Sequence, residues 1–200
     1  YVLVLEGEQG IKKSTSLLVL AGELGHVETT TSTDTKDFFM QFLGNAIVEF
    51  SEGETLSRTD VKRMKAIIST QVDTYRPPYE RVTRDFPRRC VFAMTTNQDE
   101  YLKDETGNRR WLPVRVEVSE ANVEWLQENR EQLLAEAYHR VVTGKESIYE
   151  FPANETRAAQ QERRITDPNT DAVVDWYFQL SEKDKAEGVT VDEAAKQALH

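Results

Sequence analysis

The sequence predicts an α/β fold, a parallel sheet with helices on both faces, and three observations carry that prediction. Short apolar runs recur at 1–5 (YVLVL), 46–50 (AIVEF) and 90–94 (CVFAM). Continuous runs this short, rich in β-branched or aromatic residues, suit strands buried on both faces of a parallel sheet. Stretches with helical character separate them, and that alternation is the signature of α/β layering. A glycine-bearing loop, GEQGIKKST at 7–15, joins the first run to an apolar helix beginning SLLVLAGEL.

Element by element, the first strand feeds that loop and helix. Residues 27–36 (VETTTSTDTK) are polar without a period and read as a loop. The AIVEF strand ends on a carboxylate and runs into SEGE. Residues 57–71 open with a cap signal, Ser57 and Asp60, and place Val61, Met64, Ile67 and Ile68 on one helical face. Pro77 and Pro78 break the chain before CVFAM, which runs into Thr95–Thr96–Asn97. Residues 111–118 (WLPVRVEV) alternate as a fourth strand, and 122–142 form a long amphipathic helix. Residues 151–170 are polar and broken, 171–180 helical, and a last helix enters through Thr190. The expected division is therefore a domain over 1–150, then, over 151–200, a linker and the start of a truncated helical or winged-helix domain.

The loop carries the chemistry. Gly7 to Ser14 fits G-x-x-x-x-G-K-[ST] with one departure, Lys12 standing where the second glycine belongs. In such a phosphate-binding loop (P-loop), backbone N–H groups of Gly7, Gln9, Gly10, Ile11, Lys12, Lys13, Ser14 and Thr15 and the helix start face ATP phosphates. Lys13 would reach the β- and γ-phosphates and Ser14 would ligate Mg²⁺. Gly10 remains to permit an unusual backbone angle. Lys12 demands either an ordinary φ or strain of about 1–3 kcal/mol.

Ligands in open α/β sheets sit beyond the carboxyl ends of the strands. Glu49, closing its strand, is therefore the first candidate for the metal- and water-binding acid, and Glu52 the second; Glu52 and Glu54 equally suit a solvated turn. Asn97 could read the γ-phosphate by hydrogen bonding, although Thr-Asn also makes turns. Arg109 and Arg110, in DETGNRRW, could stabilise charge on a transferring phosphoryl group, in cis or from a neighbouring subunit, or form surface ion pairs with Asp104 or Glu105.

Composition bounds the partners. A net charge of −10 and a pI near 4.9 argue against a surface coated in nucleic acid, but not against a local basic groove. Such an island lies between Lys62 and Arg89, with eight Lys and Arg against Asp73, Glu80 and Asp85. Tyr75 and Tyr79 are interleaved, which suits a single strand gripped by charge and stacking. A solvated helix face followed by a salt-bridged hairpin explains the same residues. One cysteine, Cys90, excludes a disulfide framework and a Cys-rich zinc module, fits a reducing cytosol and reads as a buried thiol. No apolar run reaches 18 residues, so no membrane span is expected. Starting at Tyr1 inside a strand, the chain reads as a piece of a longer protein.

With these pieces in place, the chain resembles the virulence-associated protein E family, phage- and island-encoded ATPases related to superfamily 3 helicases. The matching segments are LEGEQGIKKST, KDFFMQFLGNAIVEFSEGETLSR, KAIISTQVDTYRPPYERVTRDFPRRCVFAMTTN and YLKDETGNRRWLPVRV, across most of residues 3–116. The resemblance implies a P-loop NTPase fold of the AAA+/superfamily 3 kind. It implies a ring oligomer, hexameric by expectation, in the bacterial host cytoplasm, working on single-stranded DNA beside a primase domain or other replication proteins. Lys13 and Ser14 match the P-loop lysine and metal hydroxyl, Glu49 the acid of the second motif, Asn97 the sensor, and Arg109 and Arg110 the arginine-finger region. Lys65 falls in the motif that contacts DNA in superfamily 3; Asp73, Arg76 and Tyr79 belong to it, and Arg81 lies beside them. The chain departs from the family at Lys12 and in lacking a Trp-Phe after the first helix.

Two functions follow as expectations. The first is an ATP-hydrolysing helicase module that translocates on single-stranded DNA during phage or mobile-element replication. The second is a nucleotide-dependent DNA-binding assembly or loader ATPase without unwinding, which Lys12 mildly favours. A small-molecule kinase is disfavoured, because the sequence has no lid-like segment or acceptor-pocket signature.

Overall fold

The computed structural model describes residues 1–29, 36–50, 58–99, 101–102, 108–144, 146–147, 151–165 and 168–181, with Lys185, 188–190, Glu193 and Lys196 beyond them. The main sheet contains β1 (Val2–Glu6), β2 (His26–Thr29), β3 (Ile47–Phe50), β6 (Val91–Thr96) and β7 (Trp111–Arg115). Its five strands are all parallel, in the order β2-β3-β6-β1-β7. The remaining strands, β4 (Val72–Tyr75) and β5 (Arg84–Pro87), form a separate antiparallel hairpin. Around them lie α1 (Lys13–Ala21), α2 (Lys36–Met40), α3 (Arg58–Ser69), α4 (Val123–Val142), α5 (Ala153–Glu162) and α6 (Pro168–Gln179).

Strand alternation divides the core between two faces. On one, Leu3, Leu5, Ile47 and Ala93 pack beneath Leu17 and Ala21 of α1. Helix α4 lies against α1, where Arg130 donates to Leu20 O (2.8 Å) and Ala21 O (2.7 Å) and satisfies carbonyls at the helix end. On the other face Val2, Val4, Val48, Phe50, Phe92, Met94 and Trp111 meet Phe38 and Phe42 from the α2 region, Met64 and Ile67 from α3, and Tyr101 and Leu102. Both faces are therefore covered, as the uninterrupted apolar strands require. Cys90 is half-buried at the edge of this second cluster, and burial pushes its thiol up.

Two elements, β2 and α5, depart from the sequence expectation, and the β4–β5 hairpin is one of the readings that it left open. Residues 27–29, expected to start a loop, form β2 together with His26; Val27 is the strand's single aliphatic residue, and its place at the sheet edge asks for little more. The hairpin β4–β5 carries no clean alternation, because Asp73 and Tyr75 occupy its buried positions. The stretch after 150, expected to be broken, contains α5. Gln160 of that helix donates to Trp111 O (2.6 Å), and Leu102 pairs with Arg164. Compactness divides the chain between Arg164 and Ile165. Pro113 is accommodated because β7 is an edge strand, bonded only to β1.

The unit Ile165–His200 contains α6 and the expected cap residue Thr190, which pairs reciprocally with Glu193. The Thr190 N–H and hydroxyl donate to Glu193 Oε2 (2.9 and 2.8 Å), and the Glu193 N–H donates to Thr190 Oγ1 (3.3 Å). Ser57, the expected cap of α3, lies outside the described residues.

Candidate functional site

The loop between β1 and α1 is built by three residues with positive φ. Gly7 has φ 150°, and a Cβ there would stand 2.8 Å from Ile11 Cδ1 and 2.9 Å from Val116 O, so only glycine fits. Gly10 has φ 86°. Lys12, at φ 66° and ψ 33°, takes the left-handed conformation that a glycine would hold without strain. Of the two options open to Lys12, the chain adopts the strained one. Its ammonium reaches out to an exposed ion pair with Glu120, while the Ala121 N–H donates to Ile11 O (3.1 Å). The segment after β7 thus braces the loop. Ile11 is buried and Gln9 and Thr15 are exposed, so Ile11 can offer a ligand its backbone alone. Lys12, at the N-cap of α1, makes no side-chain capping hydrogen bond.

Lys13 is 8% exposed, and its Nζ donates to Gly7 O (2.7 Å), Glu8 O (2.8 Å) and Asn97 Oδ1 (2.9 Å). That last bond joins two residues 84 positions apart. Ser14 Oγ donates to Glu49 Oε1 (2.6 Å), and Thr95 Oγ1 donates to the same oxygen (2.8 Å). Register explains the meeting. Glu49 pairs with Ala93, so Glu49, Ala93 and Thr95 share the α1 face of the sheet near the carboxyl ends of β3 and β6. The same logic brings His26, whose partner is Ile47, under Glu49: Nε2 lies 2.9 Å from Glu49 Oε2. With Glu49 ionised, that bond requires the proton on Nε2.

Glu49 is fully buried and surrounded by donors, which compensate the carboxylate for its removal from bulk solvent. Because Ser14 spends its hydrogen on Glu49, the lone pairs of its oxygen stay available to a cation. Among the described residues no cluster of three or more His, Cys, Asp and Glu side chains is placed to hold a metal. A divalent ion here would combine Ser14, and Glu49 directly or through water, with oxygens from water and phosphate, the habit of Mg²⁺. Sequence reasoning missed His26, which lies where no strand is expected, and assigned no role to Thr95, whose hydroxyl donates to Glu49.

Other expected site residues are placed elsewhere. Arg109 and Arg110 form a short turn immediately before Trp111, which pairs with Val2, the opposite end of β1 from the loop. Four residue-to-residue steps separate these ends, roughly 13 Å. Neither arginine therefore serves the loop of its own chain. Arg110 Nε donates to Ser69 Oγ (3.0 Å), whereas Arg109 is exposed and free of partners among the described residues. Glu52 and the acids Asp104 and Glu105 lie outside the described residues.

The basic island divides in two. Arg76, Tyr79 and Arg81 are exposed on the turn of the β4–β5 hairpin; Tyr79, wholly exposed, is held at φ 64°. Arg84 pairs with Glu80 (2.7 Å). Lys65 is on α3, half-buried, apart from that turn. Arg88 turns inward. Its guanidinium pairs with the buried Asp73, donates to Ile67 O, and lies over Phe42 and Phe92, 5.3 and 5.2 Å from the ring centroids. It anchors the hairpin and offers nothing to a partner.

This geometry can be set beside known proteins. The virulence-associated protein E-like domain matches residues 1–166. The chain belongs to that family. Among solved structures it is similar to the apo structure of the NrS-1 C-terminal region (305–718), with TM-score 0.55 and 16% identity over 98% of this chain and 52% of that one. The A form apo structure of the same region gives TM-score 0.54 and 16% identity over 98% and 51%. The chain thus spans about half the length of these structures, and at that identity the likeness shows a shared fold. No curated protein matches it. The matched span contains the loop, Glu49, Asn97 and the two arginines. No helix among the described residues is long and apolar enough to cross a membrane.

Proposed function

We propose that this virulence-associated protein E-like domain is a P-loop ATPase that uses ATP and Mg²⁺ to move single-stranded DNA during replication of a phage or mobile element. The observation that carries the reading is the convergence of Lys13 with Asn97, and of Ser14 and Thr95 with Glu49, at one end of the sheet. These are the groups that phosphoryl transfer to water needs: a cation for the phosphates, a hydroxyl for the metal, a carboxylate for the water and an amide beside the γ-phosphate. Mg²⁺, when bound, neutralises phosphate charge and polarises the bond that breaks.

In this reading Lys13 exchanges the carbonyls of Gly7 and Glu8 for phosphate oxygens. Asn97 keeps the lysine aligned and holds the attacking water in line. Glu49 accepts a proton from that water, while His26 and Thr95 fix its carboxylate. Arg109, at the far end of β1, completes the site of a neighbouring subunit, which is the argument for a ring, hexameric by family analogy. The exposed Arg76, Tyr79 and Arg81 on the hairpin turn grip the strand, with Lys65 on α3 as a separate DNA contact and Glu52 as an accessory acid.

A second reading is favoured by one observation, the strained Lys12. Here ATP holds an assembly or loader on DNA, beside a primase or other replication proteins, with slow turnover and no unwinding. Steady-state Mg-ATPase assays with and without single-stranded DNA, alongside Lys13→Ala and Glu49→Gln, test both. The motor predicts DNA-stimulated hydrolysis, lost by at least about 100-fold in either variant. Binding of ATP without hydrolysis in either DNA state would sink the motor and leave the assembly reading.

A further inference from the structure

One buried polar cluster takes no part in that chemistry. Glu6, the last residue of β1 and the one before Gly7, points to the sheet face opposite α1 and is 3% exposed. Its Oε1 accepts the Tyr101 hydroxyl (2.5 Å) and Arg163 Nε (2.5 Å). Arg163 follows α5 and also donates from Nη1 to Ala159 O (2.9 Å) and Glu162 Oε2 (2.7 Å). Its carbonyl accepts the N–H groups of Tyr101 (3.1 Å) and Leu102 (3.0 Å). Three segments distant in sequence thus meet at one carboxylate under the threshold of the loop.

Stability alone is a weak reason for such a cluster, since apolar residues of similar volume commonly replace buried ion pairs without loss. Its place is informative. A buried carboxylate beside a loop that binds polyphosphate repels the ligand, and low polarity lengthens the reach of that repulsion. Tyr101 cannot cancel the charge: burial, then its bond to Glu6, pushes the phenol up, so it remains a neutral donor. Arg163 is the only cation bonded to Glu6 among the described residues.

We propose that Arg163 is a positioning residue that neutralises Glu6, so that triphosphate binding at Gly7–Thr15 is conditional on α5 being docked against β7. The inference rests on the nucleotide-binding reading above. Coupling is reciprocal: if docked α5 favours nucleotide, nucleotide favours docked α5 to the same extent. Segment 151–164 would then report to the loop whatever pulls on it.

The test is calorimetric titration of the full chain with Mg-ATP, on wild type, Arg163→Met, Arg163→Lys, Glu6→Gln and Glu6→Gln/Arg163→Met, each confirmed folded by circular dichroism. Arg163→Met should weaken ATP binding about tenfold, the effect of one uncompensated charge near the phosphates. Arg163→Lys should recover part of the loss, and Glu6→Gln in the Met background should bring affinity within about threefold of wild type. A structural role alone predicts that affinity per folded molecule is unmoved in every variant. Wild-type affinity in Arg163→Met, or a double variant as weak as the single, overturns the inference. Should Arg163→Met fail to fold, hydrogen exchange on wild type decides: saturating Mg-ATP must raise protection at Tyr101, Leu102 and 153–164, and unchanged protection overturns it. Wild type that binds no ATP overturns the nucleotide reading itself, a distinct result.

Discussion

Arg88→Met separates the arginine that builds the hairpin from those that could serve a ligand. The side chains of Arg88 and Asp73 are 6% and 4% exposed. Methionine fills a similar volume but leaves the Asp73 carboxylate buried without its cation, and Ile67 O without its donor. Removing one member of a buried pair typically destabilises by about 3–5 kcal/mol. Loss of the guanidinium stacked over Phe42 and Phe92 acts in the same direction. Against a total stability of about 5–15 kcal/mol, the loss is a large fraction. With a urea m-value of roughly 2–3 kcal/mol/M, the unfolding midpoint should fall by about 1–2 M. Arg88→Met/Asp73→Leu, which removes both charges, should recover most of that and bind single-stranded DNA like wild type. Arg81→Met should leave the midpoint nearly unmoved and weaken DNA binding, with a shallower salt dependence. If Arg88→Met unfolds no more easily than Arg81→Met, the burial argument fails and Arg88 returns to the candidate DNA-binding set.

Two further outcomes follow from the same geometry. Lys12→Gly should raise the melting temperature and keep or increase ATPase activity, because glycine holds φ 66° without strain; Lys12→Ala, which keeps the strain and loses the Glu120 contact, should lower it. A Lys12→Gly protein less stable than Lys12→Ala would refute the assignment of strain. Arg109→Ala should abolish hydrolysis while Arg110→Ala mainly loosens the contact to Ser69. Mixing Arg109→Ala with Lys13→Ala subunits should restore activity at about a quarter of the interfaces of a closed ring; no recovery in a mixture shown to co-assemble would exclude action across subunits.

Local signals carried much of this protein. The strand at β1, the glycines at 7 and 10 and the apolar helix after them lie within twenty residues, so their pattern alone marked the loop and suggested the roles proposed for Lys13 and Ser14. Uninterrupted apolar runs likewise announced the parallel strands covered on both faces. Contacts between distant segments carry no such local mark. Only the register of β2, β3 and β6 brought His26 and Thr95 to Glu49, and only packing against α3 turned Arg88 inward while Arg76 and Arg81 stayed exposed. For Arg109 and Arg110 the sequence left open action in cis, action from a neighbouring subunit, or surface ion pairs; the pairing of Trp111 with Val2 places them at the end of β1 opposite the loop. The loop itself was sharpened in one respect. Sequence posed two options for Lys12, and the tertiary structure, through Gly7 held against Val116 and Ile11 held by Ala121, accompanies the left-handed one.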